Sequence, residues 1–360
     1  MRPVVQLSHR LTAFGSPLEA ASESIPKPSG TQVLLRVLAC GVCHSDVHIA
    51  DGYFDLGGGK RMDLSKGIRL PRTLGHEIAG EVIAVGEAAT GVSVGDRRVL
   101  YPWIGCGSCS LCMAGDEHLC AQPLHHGTTV DGGFSNLVMA PHPRYLLDFA
   151  PLDPAYAATL ACSGLTAYSA LRKAGPLSSN DWLLVIGAGG VGLSALAICR
   201  AAHGAYVVAA DIDAGKRQGA LAAGAEEAVD PGDVEARRRL LKQSSGGFNA
   251  VVDFVGAQST AEFGLSVLRK GGKHISVGLF GGALELPLPS LPLRAITIAG
   301  SYVGRLEEMQ ALMALARDGK LVPMQVETRP LGSVQSVLDD LRAGRIRSRA
   351  AVVPPNAADA

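Results

Sequence analysis

The pattern of apolar positions changes texture near residue 155. Before it, short β-branched runs stand between Gly- and Pro-rich punctuation. The run 33–37 succeeds Pro26, Pro28 and Gly30, and the runs 81–85 and 98–101 flank turns at Gly91 and Gly95. Runs of this length bounded by turn residues predict strands, so residues 1–38 and the runs after them read as an irregular β-rich unit. The segment 132–138 adds a short strand with a glycine entry, and 51–71, rich in Gly and charge, reads as a surface loop. After residue 155 the chain alternates. An Ala-rich stretch with helical spacing (155–173) precedes the apolar runs 182–186, 206–210, 250–254 and 274–277, and 296–299 adds one more. Helical patterns separate them: one to His203, one from Asp213, one through Leu268. Such βαβα alternation predicts an α/β chain with a parallel, doubly wound sheet. Two further helices are expected near 305–317 and 333–343, and a frayed end at 354–360.

At 360 residues the chain is too long for one ordinary domain, and 47% hydrophobic residues suffice for two cores. Lys+Arg and Asp+Glu balance at 33 each, so no basic face points to nucleic acid or to an anionic membrane. The longest uncharged apolar run, 182–199, has the length of a membrane span, but Gly187, Gly189, Gly190 and Gly192 in its midst argue for strand, turn and helix. Residues 1–15 lack the apolar core of a signal peptide. The expected compartment is therefore the cytoplasm, with reduced thiols.

Three constellations carry chemistry. Gly187-Ala-Gly-Gly-Val191-Gly192 comes after an apolar strand and opens a helix. Glycines there let the backbone touch a pyrophosphate at the helix N-terminus. Asp211 comes nineteen residues after Gly192, at the end of the next strand. A carboxylate there accepts from the ribose hydroxyls and repels a 2′-phosphate, which favours NAD over NADP, and Lys216 lies within reach of the same ribose. By contrast, Gly57-Gly-Gly-Lys60 lacks phosphate-loop spacing and reads as flexible loop.

Second, Cys106, Cys109, Cys112 and Cys120 lie within one fifteen-residue segment. Four thiolates can close a tetrahedral zinc that staples a lobe with little core. An iron–sulfur cluster and disulfides are the rival readings. The fourth cysteine is seven residues on with no proline after it, and a reducing compartment disfavours disulfides.

Third, 40–48 (Cys-Gly-Val-Cys-His-Ser-Asp-Val-His) gathers Cys43, His44, Ser45, Asp46 and His48. A thiolate suits zinc, a hydroxyl beside a metal can pass a proton, and a buried carboxylate orients ligands. Its partners lie far downstream, at His76 of Gly75-His76-Glu77 and at Cys162. Three ligands from separate segments leave one position free, the mark of a catalytic zinc. Spacing does not decide whether Glu77 ligates or stands behind the ligands. Cys40 and Cys199 read as packing residues.

Together these motifs, with Thr-Ala-Tyr after Cys162, Trp103 ahead of the four-cysteine lobe and Val277-Gly278-Leu279-Phe280, resemble the zinc-dependent medium-chain alcohol dehydrogenases. The bacterial and archaeal NAD-dependent branch is the most similar. The resemblance spans essentially the whole chain. It implies a GroES-like catalytic domain (1–160) carrying the structural-zinc lobe (105–121), a Rossmann coenzyme domain (161–299), and a segment 300–360 that completes the catalytic domain. It implies two zinc ions per chain: one on Cys43, His76 and Cys162 with Glu77 adjacent, the other on the four-cysteine lobe. Ser45 and His48 would relay a proton. His44 and Arg349 would contact the pyrophosphate, and Thr166, Gly278 and Leu279 would lie on the nicotinamide side. Phe54, Trp103 and Tyr302 are candidates for the substrate wall. The implied reaction is reversible hydride transfer between an alcohol and NAD, giving an aldehyde or ketone, in a homo-oligomer, a tetramer or dimer. The alternatives are a polyol dehydrogenase or carbonyl reductase of the same superfamily, and a non-catalytic dinucleotide-binding protein. The segment 54–71 is longer than in yeast-like members, which bears on the cleft entrance.

Overall fold

The structure, a computed structural model, describes residues 5–202 and 204–355. His203 and most of the expected frayed end, 356–360, lie outside them.

Strand Val33–Val42 is the spine of the N-terminal unit. Eight of its ten residues are buried, so both its faces are covered and its sequence is almost continuously apolar rather than alternating. It pairs antiparallel with Glu77–Val85, Leu137–Ala140 and Arg349–Val353. The resulting seven-stranded sheet runs from Leu146–Asp148 through Arg97–Leu100, Glu77–Val85, Val33–Val42 and Arg349–Val353 to Val326–Pro330, with Leu137–Ala140 added to Val33–Val42. A small antiparallel sheet, Val5–Leu11 with Glu19–Ser24 and Arg72–Thr73, packs nearby. Two of these strands, Val326–Pro330 and Arg349–Val353, are not visible in the hydropathy pattern. They are short; Glu327 and Arg329 stand within the first, and Arg349 begins the second.

The second unit is a six-stranded sheet in the order Glu227–Val229, Tyr206–Ala210, Trp182–Ile186, Phe248–Asp253, Leu268–Ser276, Thr297–Gly300. Every pairing is parallel. In chain order this is 3-2-1-4-5-6, the doubly wound dinucleotide topology. Its order reverses beside Trp182–Ile186, and ligands bind beyond the carboxyl ends of the strands there.

Three local expectations are corrected. The 51–71 segment is not an irregular loop: Tyr53–Gly57 and Lys60–Asp63 form a hairpin, with Arg61 stacked over Tyr53 at 4.0 Å. The strand expected over 132–138 begins only at Leu137. Gly132 serves close packing instead, since a Cβ on it would stand 2.1 Å from the Gly75 carbonyl oxygen. The 155–173 helix is broken into Pro154–Thr159, a π-helical turn Leu160–Gly164, and Leu165–Ala174. The Ser163 N–H donates to the Glu77 carboxylate (3.2 Å) and its hydroxyl to the Thr159 carbonyl (2.8 Å). Both bonds favour a widened turn, and π-turns collect at functional sites.

Candidate active site and metal lobe

The site is assembled from a strand end, a helix start, a tight turn and the π-turn. Strand Val33–Val42 stops one residue before helix His44–Asp51, so Cys43 is the N-cap. Asp46, at the third helical position, reaches back to the Cys43 N–H (2.9 Å). Its other oxygen accepts from the Gly75 N–H (3.2 Å) and from His76 Nδ1 (3.1 Å). Gly75 has φ +89°, and a Cβ there would lie 2.5 Å from the Phe134 ring, so only glycine turns the chain tightly enough to present His76. Cys162 arrives on the π-turn.

The ligand atoms of Cys43, His76 and Cys162 all lie within 4.8 Å of one another, and all three residues are buried. With Nδ1–H donated to Asp46, His76 turns Nε2 towards the thiols as a lone pair. That atom is buried and has no hydrogen-bond partner among the described residues. An orphaned imidazole nitrogen between two thiols fits a zinc ion with one position left free. A hydrogen bond from the Cys162 thiol draws the Cys43 thiol well below its ordinary pKa despite burial, and His76 and Arg349 act in the same sense. Burial pushes the His76 imidazole down, but Asp46 and the Cys43 sulfur outweigh it and raise its pKa.

Glu77 stands outside this triangle. Its carboxylate pairs with Arg349, fully buried, and accepts from Ser163. Burial lifts its pKa to about 7, with Arg349 opposing the rise. Arg349, expected at the pyrophosphate, therefore directs its guanidinium at Glu77, while its aliphatic stem lies on Gly190 of the glycine turn. A Cβ on Gly190 would stand 2.3 Å from Arg349 Cδ. Ser45 is half-buried with Oγ 3.8 Å from Cys43 Sγ. His48, one turn on, is half-buried and packs against Phe54 with ring centroids 5.0 Å apart. His44 is exposed. Trp103 packs its ring 5.3 Å from His76 and 5.9 Å from Tyr302, and its indole N–H donates to the Ala161 carbonyl (3.0 Å). Thr166 is buried on the helix after the π-turn.

The glycine turn closes beneath helix Gly190–Ala202. Gly187 sits at φ +89°, and a Cβ on Gly192 would meet the Gly187 carbonyl oxygen at 1.8 Å, so these two glycines let helix and strand pack. Gly189 differs: a Cβ on it would meet nothing within 4 Å. Its glycine leaves open space at a helix N-terminus, as a pyrophosphate needs. Asp211 stands at the end of Tyr206–Ala210, accepting from the Ala188 N–H (2.9 Å) of the turn and from the Asp213 N–H (2.9 Å). Lys216 is half-buried in the first turn of helix Ala214–Ala223. Val191 is the second residue of that helix, and Gly278 crosses so close to the 255–256 backbone that a Cβ on it would stand 2.1 Å from the Val255 carbonyl carbon. Leu279 is exposed beside it.

In the lobe, Cys106, Cys109, Cys112 and Cys120 also bring their sulfurs within 4.8 Å of one another. Sulfur pairs stand at 3.5 Å (Cys109–Cys112), 3.8 Å (Cys109–Cys120) and 3.9 Å (Cys106–Cys112). A tetrahedral zinc with Zn–S near 2.3 Å sets about 3.8 Å between ligands. All eight cysteines are free thiols, and the lobe sulfurs stand well beyond the length of an S–S bond, about 2.05 Å. The N–H groups of Cys106 (3.4 Å) and Gln122 (3.3 Å) donate to Cys120 Sγ. The lobe has little core: Leu111, Met113 and Leu119 are exposed. It is moored through Glu117, which accepts from the Gly105 N–H (3.3 Å) and the Tyr145 hydroxyl (2.7 Å).

A protein of Sulfurisphaera tokodaii named NAD-dependent alcohol dehydrogenase is 38% identical over 347 residues, covering 96% of this chain and 99% of its own. The chain belongs to the zinc-dependent medium-chain alcohol dehydrogenase family. The model of the alcohol dehydrogenase GroES-like domain matches residues 29–150, and that of the zinc-binding dehydrogenase matches 190–318. An alcohol dehydrogenase of Geobacillus stearothermophilus is 32% identical over 93% of this chain and 95% of its own. The solved alcohol dehydrogenase of Aeropyrum pernix superposes with TM-score 0.86 at 29% identity, covering 97% of this chain and all of that one. The fold is accordingly a GroES-like unit joined to a Rossmann unit, and no described helix is long and apolar enough to cross a membrane.

Sequence reasoning misses two features of this alcohol dehydrogenase site: the Glu77–Arg349 pair, and the bonds from Arg217 to the Asp211 (2.7 Å) and Ile212 (3.0 Å) carbonyls. Only the second has a local signal, an arginine six residues after Asp211 in a helix start.

Proposed function

We propose that the chain interconverts primary or secondary alcohols with aldehydes or ketones, using NAD. The enzyme is an alcohol dehydrogenase. The observation that carries the reading is the convergence of Cys43, His76 and Cys162, with an orphaned His76 Nε2, while Arg349 runs from Glu77 to Gly190 of the glycine turn. When bound, zinc at this triangle supplies Lewis-acid polarisation of the alcohol oxygen, and NAD at the turn supplies the hydride acceptor. The protein's own residues do the rest. Asp46 holds His76 in the tautomer that leaves Nε2 free. Ser45 takes the hydroxyl proton and His48 carries it outward, a relay worth about 10²–10⁴ in rate. Asp211 accepts from the adenosine ribose, with Lys216 beside it. Gly187, Gly189, Gly190, Val191 and Gly192 leave backbone N–H groups for the pyrophosphate, near which we keep Arg349 and His44. Thr166, Gly278 and Leu279 flank the nicotinamide, and Phe54, Trp103 and Tyr302 wall the substrate.

The same reading assigns two zinc ions per chain, the second in the cysteine lobe. It divides the chain at 1–160, 161–299 and 300–360, the last part completing the catalytic unit and the start of the middle part lending it Cys162. A cytoplasmic homo-oligomer, a tetramer or dimer, accompanies it. Support for assembly comes from strand Thr297–Gly300, which pairs on one side only among the described residues, and from exposed Leu288, Leu293 and Ile298 beside it. The test counts zinc per chain and measures initial rates on primary, secondary, cyclic and aromatic alcohols with NAD and NADP. Cys43→Ser and His76→Ala should each abolish turnover while the lobe keeps its metal. Normal turnover in a variant shown to lack the active-site zinc would overturn the proposal.

A further inference from the structure

The hairpin 53–63 leaves the catalytic unit beside the site and ends on the coenzyme unit. At its root, Phe54 packs on His48. At its tip, the chain lies against 281–283, which come after strand Leu268–Ser276 at the carboxyl edge of the parallel sheet. A Cβ on Gly57 would stand 2.7 Å from the Gly282 Cα and carbonyl carbon and 2.9 Å from the Ala283 nitrogen. From the opposite side, a Cβ on Gly281 would stand 2.7 Å from the Asp55 carbonyl oxygen. The contact is therefore backbone on backbone, and it needs glycine on both units. The receiving segment is itself fixed to the crevice. Phe280 and Gly281 donate their N–H groups to the Val255 and Gly256 carbonyls, both at 3.1 Å, just past strand Phe248–Asp253. Strand Phe248–Asp253 borders Trp182–Ile186, where the sheet order reverses and a dinucleotide lies in this topology, so the receiving segment flanks that crevice.

We propose that the hairpin is a strap across the mouth of the coenzyme crevice, sealed by Gly57 on Gly282 and by Gly281 on Asp55, and that coenzyme passes only when this seal parts. The strap rests on the dehydrogenase reading. Asp55 turns its carboxylate back to the Gly57 N–H (2.7 Å), and among the described residues no side-chain bond crosses the seal, so it opens without breaking a salt bridge. Lids of this kind set the rate of product release in many enzymes.

The neighbouring glycines supply an internal control. Gly57 and Gly58 both have left-handed backbone, φ +79° and +59°, but a Cβ on Gly58 meets nothing within 4 Å. Valine at either position therefore carries similar backbone strain, and only Gly57→Val props the seal open. The measurement is the dissociation rate of NADH from zinc-loaded enzyme, by stopped-flow fluorescence with excess NAD as displacer. Gly57→Val should release NADH about tenfold faster than wild type, the effect of losing a contact of about 1.4 kcal/mol, and Gly58→Val should stay within about twofold. Gly281→Ala, which disturbs the seal from the other unit, should also accelerate release and serves if Gly57→Val does not fold. Equal rates in the two valine variants, or an unchanged rate in both Gly57→Val and Gly281→Ala, would overturn the strap. Wild-type enzyme that binds no NADH would instead overturn the dehydrogenase reading beneath it.

Discussion

Replacing Asp46 by asparagine tests the site at one heteroatom. The carboxylate is wholly buried and receives three donors: the Cys43 N–H at 2.9 Å on one oxygen, and the Gly75 N–H at 3.2 Å with His76 Nδ1 at 3.1 Å on the other. An amide has the same shape but only one oxygen. If that oxygen faces His76, the amide NH₂ meets the Cys43 N–H and the helix loses its cap, at about 1 kcal/mol. If it faces Cys43, the NH₂ donates to His76 Nδ1. The imidazole proton is then driven to Nε2, the atom that must keep a lone pair for the metal, and the Gly75 N–H is orphaned at about 1–3 kcal/mol. In both arrangements the negative charge beside the imidazole is gone. Loss of such an orienting carboxylate costs about 10–100-fold in metal affinity, or about 1.4–2.7 kcal/mol. The assay is zinc competition against a chromophoric chelator, tracking the active-site ion apart from that of the lobe, with thermal unfolding of the same samples. Zinc affinity within about twofold of wild type, together with normal turnover, would refute this account of Asp46.

Three further outcomes are expected from other parts of the molecule. His125 is buried against Trp103 (5.4 Å between ring centroids), its Nε2 has no partner among the described residues, and burial, with His118 and His76 nearby, takes its pKa from 6.5 down to about 4. The unfolded chain thus binds the proton more readily, so stability is complete above pH 6.5 and falls as pH drops towards 4. Urea unfolding at pH 7 and pH 5 should show wild type losing about 2 kcal/mol more than His125→Phe over that interval, and an equal loss in both would remove His125 as the cause. Cys112→Ser should leave the exposed lobe without its fourth thiolate, and limited proteolysis should then cut within 106–120 first. Cleavage elsewhere at wild-type rates would count against a metal staple. Asp211→Gly removes the acceptor facing the glycine turn, and the ratio of catalytic efficiencies with NAD and NADP should move towards NADP. An unchanged ratio would show that another group selects the coenzyme.

Whatever is local is legible in the sequence. The glycine turn, the 43–48 stretch and the cysteine lobe carry their chemistry within a few residues, and the alternation after residue 155 declares a parallel sheet because each strand there is a buried apolar run. Features that depend on pairing at a distance stay hidden. The hairpin 53–63 looks like loop because its residues are polar, glycine-rich and mostly exposed; its order comes from cross-strand bonds and from seating against 281–283. The π-turn that presents Cys162 reads as plain helix, since the carboxylate that reaches Ser163 belongs to Glu77, eighty-six residues away. Spacing does not decide the role of Glu77 for the same reason: its partner is Arg349, on a five-residue strand too short to announce itself.

That pair also bears on why the metal site and the coenzyme site belong to one machine. Strand Arg349–Val353 lies beside Val33–Val42, so Arg349 is delivered next to the strand end that carries Cys43. Its guanidinium neutralises Glu77 behind the ligand triangle, and its stem fills the hollow that Gly190 leaves in the glycine turn. A charge this buried is costly unless paired, and removing either partner of such a pair typically costs about 3–5 kcal/mol. Arg349 therefore cannot swing fully to a phosphate without leaving Glu77 uncompensated, unless Glu77 takes up a proton. Arg349 thus links the metal side of the cleft to the glycine turn, its guanidinium on Glu77 and its stem against Gly190. Leucine at 349 would be expected to disturb zinc retention and coenzyme affinity together, whereas lysine, shorter of reach and unable to form a fork, should spare the first more than the second.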